Sequence, residues 1–266
     1  MLSVGIIGFG AISSLLVREL SLDAFTEVQG VLVRSGFADD SDALHQVSIV
    51  NSVEKLLDLN PSVVLEAAGQ GAVREYGISV LESGTDFMMI STGALVDDEF
   101  RSALLAAAKQ GGSRVILPSG AIAGIDGLVA LRASGLKRVC YTSTKPPLAW
   151  KGTPAEKLVD LNNLDSSVVF FQGSAREAAL DYPKNANLAA TVGLAGLGLD
   201  RTEISLVADP DAKGNMGRIE AQGNAGSLFV ESSGPASDGN PKTSAVTAFS
   251  MIASLRSLQE TLILPG

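Results

Sequence analysis

Val4-Gly5-Ile6-Ile7-Gly8-Phe9-Gly10-Ala11-Ile12-Ser13 is an apolar strand that breaks at two glycines and runs into an amphipathic segment, residues 12–20. A strand, a glycine turn and a helix in that order can receive a dinucleotide. The first glycine permits the tight reversal, the second lets backbone approach a pyrophosphate, and the amides opening the helix attract the anion. Gly8, Gly10, Ala11 and Ile12 are therefore candidate cofactor-binding residues. The third glycine of the full fingerprint is Ser13 here, so the turn alone also fits any tight strand-to-helix junction.

The surroundings narrow the reading. Residues 28–33 form a second apolar run, ending about 20 residues past the glycines, where a dinucleotide site places the residue that meets the adenosine ribose. That residue is Arg34. A carboxylate there would accept hydrogen bonds from a ribose 2′-hydroxyl, whereas a guanidinium clasps a 2′-phosphate, so NADP is expected to be accepted alongside or in preference to NAD.

Further strands are expected at 48–50, 63–67, 86–90 and 114–117, with helical patterns at 53–59, 72–83 and 97–110. Such alternation specifies an α/β domain with a Rossmann-type, doubly wound parallel sheet. In such sheets ligands bind beyond the carboxyl ends of the strands. Three segments of small residues fall there: Glu66-Ala67-Ala68-Gly69, Ser91-Thr92-Gly93-Ala94 and the stretch that starts Ser119-Gly120-Ala121-Ile122. Ala68 and Gly69 join the candidate cofactor residues.

After residue 120 the pattern changes. Strands at 139–143, 167–173, 203–208, 217–223 and 226–232, with helices at 175–182 and 187–197, describe an α+β second domain with a mostly antiparallel sheet. Residues 233–240 are turn-rich. The stretch 243–260 is amphipathic, with Val246, Phe249, Ile252, Ala253 and Leu255 spaced for one buried face. The expected division is a dinucleotide-binding domain at 1–120, a substrate and dimerisation domain at 121–240, and a C-terminal helix at 241–266 packing back on the first domain. The strands at 168–171 and 227–230 carry apolar side chains for both faces, which favours a symmetric homodimer through that sheet.

Composition sets outer bounds. With 46% apolar and 18% charged residues, the 266-residue chain can bury a sizeable core. A net charge of −9 and the lack of a basic cluster exclude nucleic acid as a partner. The single cysteine, Cys140, reads as a buried strand residue in a reducing compartment. His45 is the only histidine, in a polar stretch, and with one thiol it makes no metal-ligand cluster, so no metal is expected. No apolar run is long enough to span a membrane and no basic leader precedes the first strand, so a cytoplasmic location is expected.

A set of motifs ties these readings together: Gly8-Phe9-Gly10-Ala11-Ile12, Ser119-Gly120-Ala121-Ile122, Gly152-Thr153-Pro154-Ala155, Tyr182-Pro183-Lys184-Asn185-Ala186-Asn187, Ala208-Asp209-Pro210 and Asn240-Pro241-Lys242-Thr243-Ser244. The combination resembles the L-aspartate dehydrogenase family nearly end to end. The resemblance implies a homodimeric oxidoreductase that interconverts L-aspartate with iminoaspartate, hence oxaloacetate and ammonia, using NAD or NADP and supplying nicotinamide cofactor synthesis. By position it implies that Ala121 and Asn187 hold the cofactor and that Lys145 and Lys184 line the pocket for a small dicarboxylic amino acid. Lysine suits that task, since each carboxylate needs a cationic or donor-rich partner.

One departure bears on mechanism. In the family, an Asn-x-His segment follows Ala-Asp-Pro, and its histidine is the proposed acid/base; here the segment is Asn215-Met216-Gly217-Arg218. Gly217 stands at the catalytic position without a side chain to move a proton. Positioned acid/base catalysis contributes about 10²–10⁴-fold in rate, so its loss would slow the reaction rather than abolish it. The histidine has been lost outright, or Lys145, Lys184 or Arg218 carries part of its task, or the substrate has changed. Two alternatives stay open: a related dehydrogenase for another amino or hydroxy dicarboxylate, and a dinucleotide-binding homologue without turnover.

Overall fold

A computed structural model describes the chain except residues 35–46, 184, 235, 238, 239 and 264–266, and the side chains of 236, 237 and 240–243. Among the described residues two compact units result, one from residues 1–118 with the stretch from 248 onward and one from 119–247.

In the first unit β1 (Leu2–Ile7), α1 (Ala11–Leu20), β2 (Thr26–Leu32), β3 (Ser48–Val50), α2 (Val53–Leu57), β4 (Val63–Glu66), α3 (Gln70–Glu82), β5 (Asp86–Met89), α4 (Asp98–Gly111) and β6 (Val115–Ile116) alternate along the chain. All strand pairings are parallel, in the order β3-β2-β1-β4-β5-β6. The doubly wound expectation is met. Strands buried on both faces must be apolar throughout, and Val4, Ile6, Ile7, Val64 and Leu65 have no exposure at all. The order reverses between β1 and β4, and crevices for ligands open at such a point.

The second unit holds α5 (Ile125–Ser134), β7 (Leu136–Lys145), β8 (Val168–Ser174), α6 (Ala175–Asp181), α7 (Asn187–Ala195), β9 (Glu203–Ala208), β10 (Asn215–Gly223), β11 (Gly226–Gly234), β12 (Ala236–Ser237) and β13 (Asn240–Ser244). Five strands form one sheet in the order β11-β10-β7-β9-β8, antiparallel except for the β7–β9 pair. The turn-rich reading of 233–240 needs correction: β11 runs on to Gly234, and β12 and β13 pair in a two-stranded ladder. Helix α5 was not anticipated. Of its ten residues only Leu128 is buried, so no apolar stripe announces it.

The last helix, α8 (Val246–Ser257), buries Ala248, Met251, Ile252 and Leu255 in the same core as Val4, Ile6, Leu16, Leu20 and Leu65. Its buried face differs from the expected one, because Val246 and Phe249 are 47% and 48% exposed and Ala253 is exposed. Among the described residues no helix is long and apolar enough to cross a membrane, and no group of histidine, cysteine, aspartate and glutamate could hold a metal.

Candidate active site

The first unit builds a dinucleotide cradle at the β1/β4 reversal. Gly8 has φ +91°, and a Cβ built on it would lie 2.6 Å from the Ala68 Cβ and 2.9 Å from the Ala68 Cα. Only glycine lets the turns after β1 and β4 approach this closely. Gly10 is the N-cap of α1, and a Cβ there would meet nothing within 4 Å, so its backbone borders open space. Gly69, at φ +118° with equally open surroundings, is the N-cap of α3.

Neither α1 nor α3 carries a side-chain cap or an acidic residue in its first turn. In contrast α2 and α4 are capped by Ser52 and Asp97 and open with Glu54 and with Asp98 and Glu99. Helices normally satisfy their first amides with such groups. The two helices beside the reversal leave that positive end to be met by an anion, which fits a pyrophosphate. Ala11 is exposed and Ile12 half-buried at this helix start. Arg34 is exposed two residues past β2, and its charge bears on the phenol of Tyr76 in α3, which burial and Glu75 push upward.

Beneath the cradle lies Glu66, the last residue of β4, with no exposure. Its Oε1 accepts from the amides of Ala68 at 2.8 Å and Gly69 at 2.7 Å and from Ser91 Oγ at 2.9 Å, while Oε2 accepts from the Ser91 amide at 3.2 Å. Burial pushes its carboxyl upward, and these donors pull against that. The Ser91–Ala94 segment, expected as a cofactor loop, is a buried 3₁₀ turn in which Thr92 and Ala94 are 1% and 0% exposed.

In the second unit, alternation along β7 and β10 sets Tyr141, Ser143 and Lys145 on the same face as Gly217 and Ile219, with Gly217 opposite Ser143. A Cβ on Gly217 would lie 2.7 Å from Ile122 Cδ1 and 3.1 Å from the Tyr141 hydroxyl oxygen. Ser232, opposite Gly217 on β11, turns its hydroxyl to the carbonyls of Ala121 at 3.3 Å and Gly217 at 3.4 Å. Ala121, Ile122, Gly217, Tyr141 and Ser232 thus form one cluster. Burial holds the Tyr141 phenol protonated up to about 12, with a bond to Ser143 opposing. At neutral pH it is a donor, not a base.

Lys145 ends β7 on this face, 6% exposed, with its ammonium 5.2 Å from the centre of the Trp150 ring and donating to the Asn185 carbonyl at 3.3 Å. Asn185 in turn donates to the Ala149 carbonyl at 2.9 Å, and Trp150 to the Val207 carbonyl at 2.9 Å. The Tyr182 ring stands edge-on to Trp150 and Phe171 at 6.2 and 5.4 Å. These ties hold Tyr182 and Asn185 shortly before Asn187, the half-buried first residue of α7.

Some expected residues fall elsewhere. Lys184 and His45 lie outside the described residues. Arg218, next to Gly217 in sequence, points to the opposite sheet face, where it pairs with Glu231 at 2.7 Å and lies 5.3 Å from the Phe229 ring centre. Cys140 is a half-buried strand residue whose thiol is raised chiefly by burial. The roles of Glu66, Ser232, Tyr141 and Trp150 were not read from sequence; the one available signal was Glu66, a lone charge ending an apolar strand.

A parallel sheet with a glycine cradle, joined in sequence to an α+β unit that buries a lysine on its helix-covered face, defines an NAD(P)-dependent dehydrogenase. Residues 8–118 match the family described as homoserine dehydrogenase, NAD binding domain, and residues 126–258 that described as aspartate dehydrogenase, C-terminal. The L-aspartate dehydrogenase of Cupriavidus necator is 44% identical over 257 residues, covering 96% of this chain and 97% of its own. That of Pseudomonas aeruginosa is 40% identical over 260 residues, with the same coverages of 96% and 97%. Among solved structures, aspartate dehydrogenase from Thermotoga maritima matches with a TM-score of 0.79 at 27% identity over 99% of each chain. The chain belongs to the aspartate dehydrogenase family.

Proposed function

We propose that this chain oxidises the CH–NH₂ carbon of L-aspartate to iminoaspartate, which water converts to oxaloacetate and ammonia. The observation that carries the reading is Lys145, a cation held at 6% exposure, donating to the Asn185 carbonyl and facing the same way as Gly217. A buried ammonium attracts a carboxylate far more strongly than an exposed one. Lys184 is proposed as the second cation for the dicarboxylate. Gly8, Gly10, Ala11, Ile12, Ala68 and Gly69 would hold the dinucleotide in the first unit, and Ala121 and Asn187 are proposed as contacts from the second. When bound, the nicotinamide supplies the two-electron acceptor for the CH–NH₂ carbon. The chain's own tasks are to hold the carboxylates and to exclude water around the amine; Gly217 offers no side chain to take a proton, and the Tyr141 phenol, which burial keeps protonated, is not a base at neutral pH.

That last feature favours a second reading, a homologue that binds dinucleotide and turns over slowly or on another dicarboxylate. A panel of amino and hydroxy acids with NAD and NADP, followed by absorbance of the reduced cofactor, separates the two. L-aspartate is expected to be the best substrate. Ready turnover of another dicarboxylate with none of aspartate overturns the assignment.

We further propose that Arg34 admits NADP by clasping its 2′-phosphate, that the enzyme works in the cytoplasm, and that it is a homodimer through its second sheet. Arg34→Asp should weaken NADP far more than NAD, since it replaces an attractive pair with a repulsive one. Equal loss for both cofactors rejects that role.

A further inference from the structure

Buried carboxylates are costly, and replacing one by an apolar residue is often neutral or stabilising, so burial at Glu66 asks for a reason other than stability. Its surroundings supply one. Three of its four partners are backbone amides, which can only donate, and they belong to two different turns: Ala68 and Gly69 after β4, and Ser91 after β5. We propose that Glu66, as a carboxylate, is a positioning residue for dinucleotide binding, which orients the backbone of Ala68 and Gly69 and braces it against the Ser91 turn.

The two amides it holds belong to the residues that shape the cradle. Gly69 adopts φ +118° at the opening of uncapped α3, a conformation with few intrinsic stabilisers. Ala68 is the wall against which Gly8 sits so closely that a Cβ would overlap it at 2.6 Å. Loosening Glu66 therefore moves both the Gly8 turn and the α3 start. A glutamine has the same shape but one acceptor oxygen, so its amide nitrogen would face a backbone donor whichever way it turned. The charge, and not only the size, is what this place demands.

The proposal rests on the dinucleotide site described above, and the test separates the two. NADH and NADPH are titrated against the whole chain by cofactor fluorescence for the wild type, Glu66→Gln and Ser91→Ala. Amide hydrogen exchange is followed at residues 68, 69 and 91 without cofactor. Glu66→Gln should raise Kd for both cofactors about tenfold, the scale of losing a charged hydrogen bond, and should speed exchange at 68 and 69. Cofactor KM should rise by a larger factor than kcat falls. Ser91→Ala, which removes one donor, should raise both Kd values about threefold, and it decides the matter should Glu66→Gln fail to fold. Unchanged affinity in a folded Glu66→Gln, or in Ser91→Ala if only that variant folds, overturns the proposal. A wild type that binds neither cofactor overturns the dinucleotide site itself, and this inference with it.

Discussion

At residue 217 the missing side chain leaves no gap for an imidazole, because Ile122 Cδ1 and the Tyr141 hydroxyl already crowd the Cβ direction. Ile122 Cδ1 is the far end of a flexible side chain, and Ile122→Val removes it. Gly217→His combined with Ile122→Val should raise kcat for L-aspartate at least about tenfold over Ile122→Val alone, with little change in cofactor affinity, since an acid/base group acts mainly in the transition state. A folded, cofactor-binding double variant with no gain, beside ready turnover of another dicarboxylate by the parent, would mean a pocket rebuilt for that substrate. Ser13 is a separate residue-scale case. It takes the place of the fingerprint's third glycine, fully buried, with an Oγ that finds no partner. Ser13→Ala should stabilise the chain by about 1 kcal/mol, the order of relieving a buried unsatisfied hydroxyl, read from urea unfolding midpoints. A lower midpoint would show that the hydroxyl is satisfied in the folded protein.

At the scale of elements, the capping pattern separates the helices of the first unit, with α2 and α4 capped and α1 and α3 not. Asp97 accepts from the amides of Glu99 and Phe100 at 3.1 Å each, and from Arg74 at 3.0 Å, and the Phe100 amide first and Arg74 next hold its carboxyl below the ordinary range. A depressed folded-state value means that its stabilising contribution is complete above the ordinary carboxylate range and is lost as pH falls through the folded value. The Tm advantage of the wild type over Asp97→Asn should therefore shrink between about pH 6 and pH 3; a constant difference would deny the carboxylate this role. Legibility at this scale followed local chemistry. β3 and β9 were read at their observed bounds, 48–50 and 203–208, and α4 was displaced by one residue at each end, because its acidic start and glycine stop are sequence-local signals. α5 also has an acidic residue in its first turn and a glycine stop, but it buries only Leu128 and so shows no apolar stripe. The parallel β7–β9 pairing and the buried 3₁₀ turn at 92–96 depend on contacts distant in sequence. The glycine turn of the site was legible for the same local reason, whereas Glu66, Ser232 and Tyr141 acquire meaning only from partners that other strands bring to them.

For the whole molecule, two long-range placements matter. From Ala248 the chain returns to the first unit's core, and Met251, fully buried there, should cost about 2–5 kcal/mol when cut to alanine, measured by denaturant unfolding. The second placement concerns the sheet of the second unit. Leu228 and Val230 on β11 lie against Gly127 and Gly124 of the α5 region, so the intervening side chains point the other way. On that other face Phe229 is 65% and Val169 51% exposed, flanked by the ion pairs Arg218–Glu231 and Arg138–Glu203. Exposed apolar side chains rimmed by charges of both signs suit a partner with the same pattern, and a two-fold axis brings each patch onto its own copy. A symmetric dimer is therefore expected, with twice the chain mass in light scattering at micromolar concentration. Phe229→Asp places a desolvated charge at the centre of that contact and should shift the mass to the monomer while the far side of the sheet, covered by α5, keeps the fold intact. A wild-type monomer under those conditions, or a Phe229→Asp dimer as tight as the parent, would remove this face as the interface.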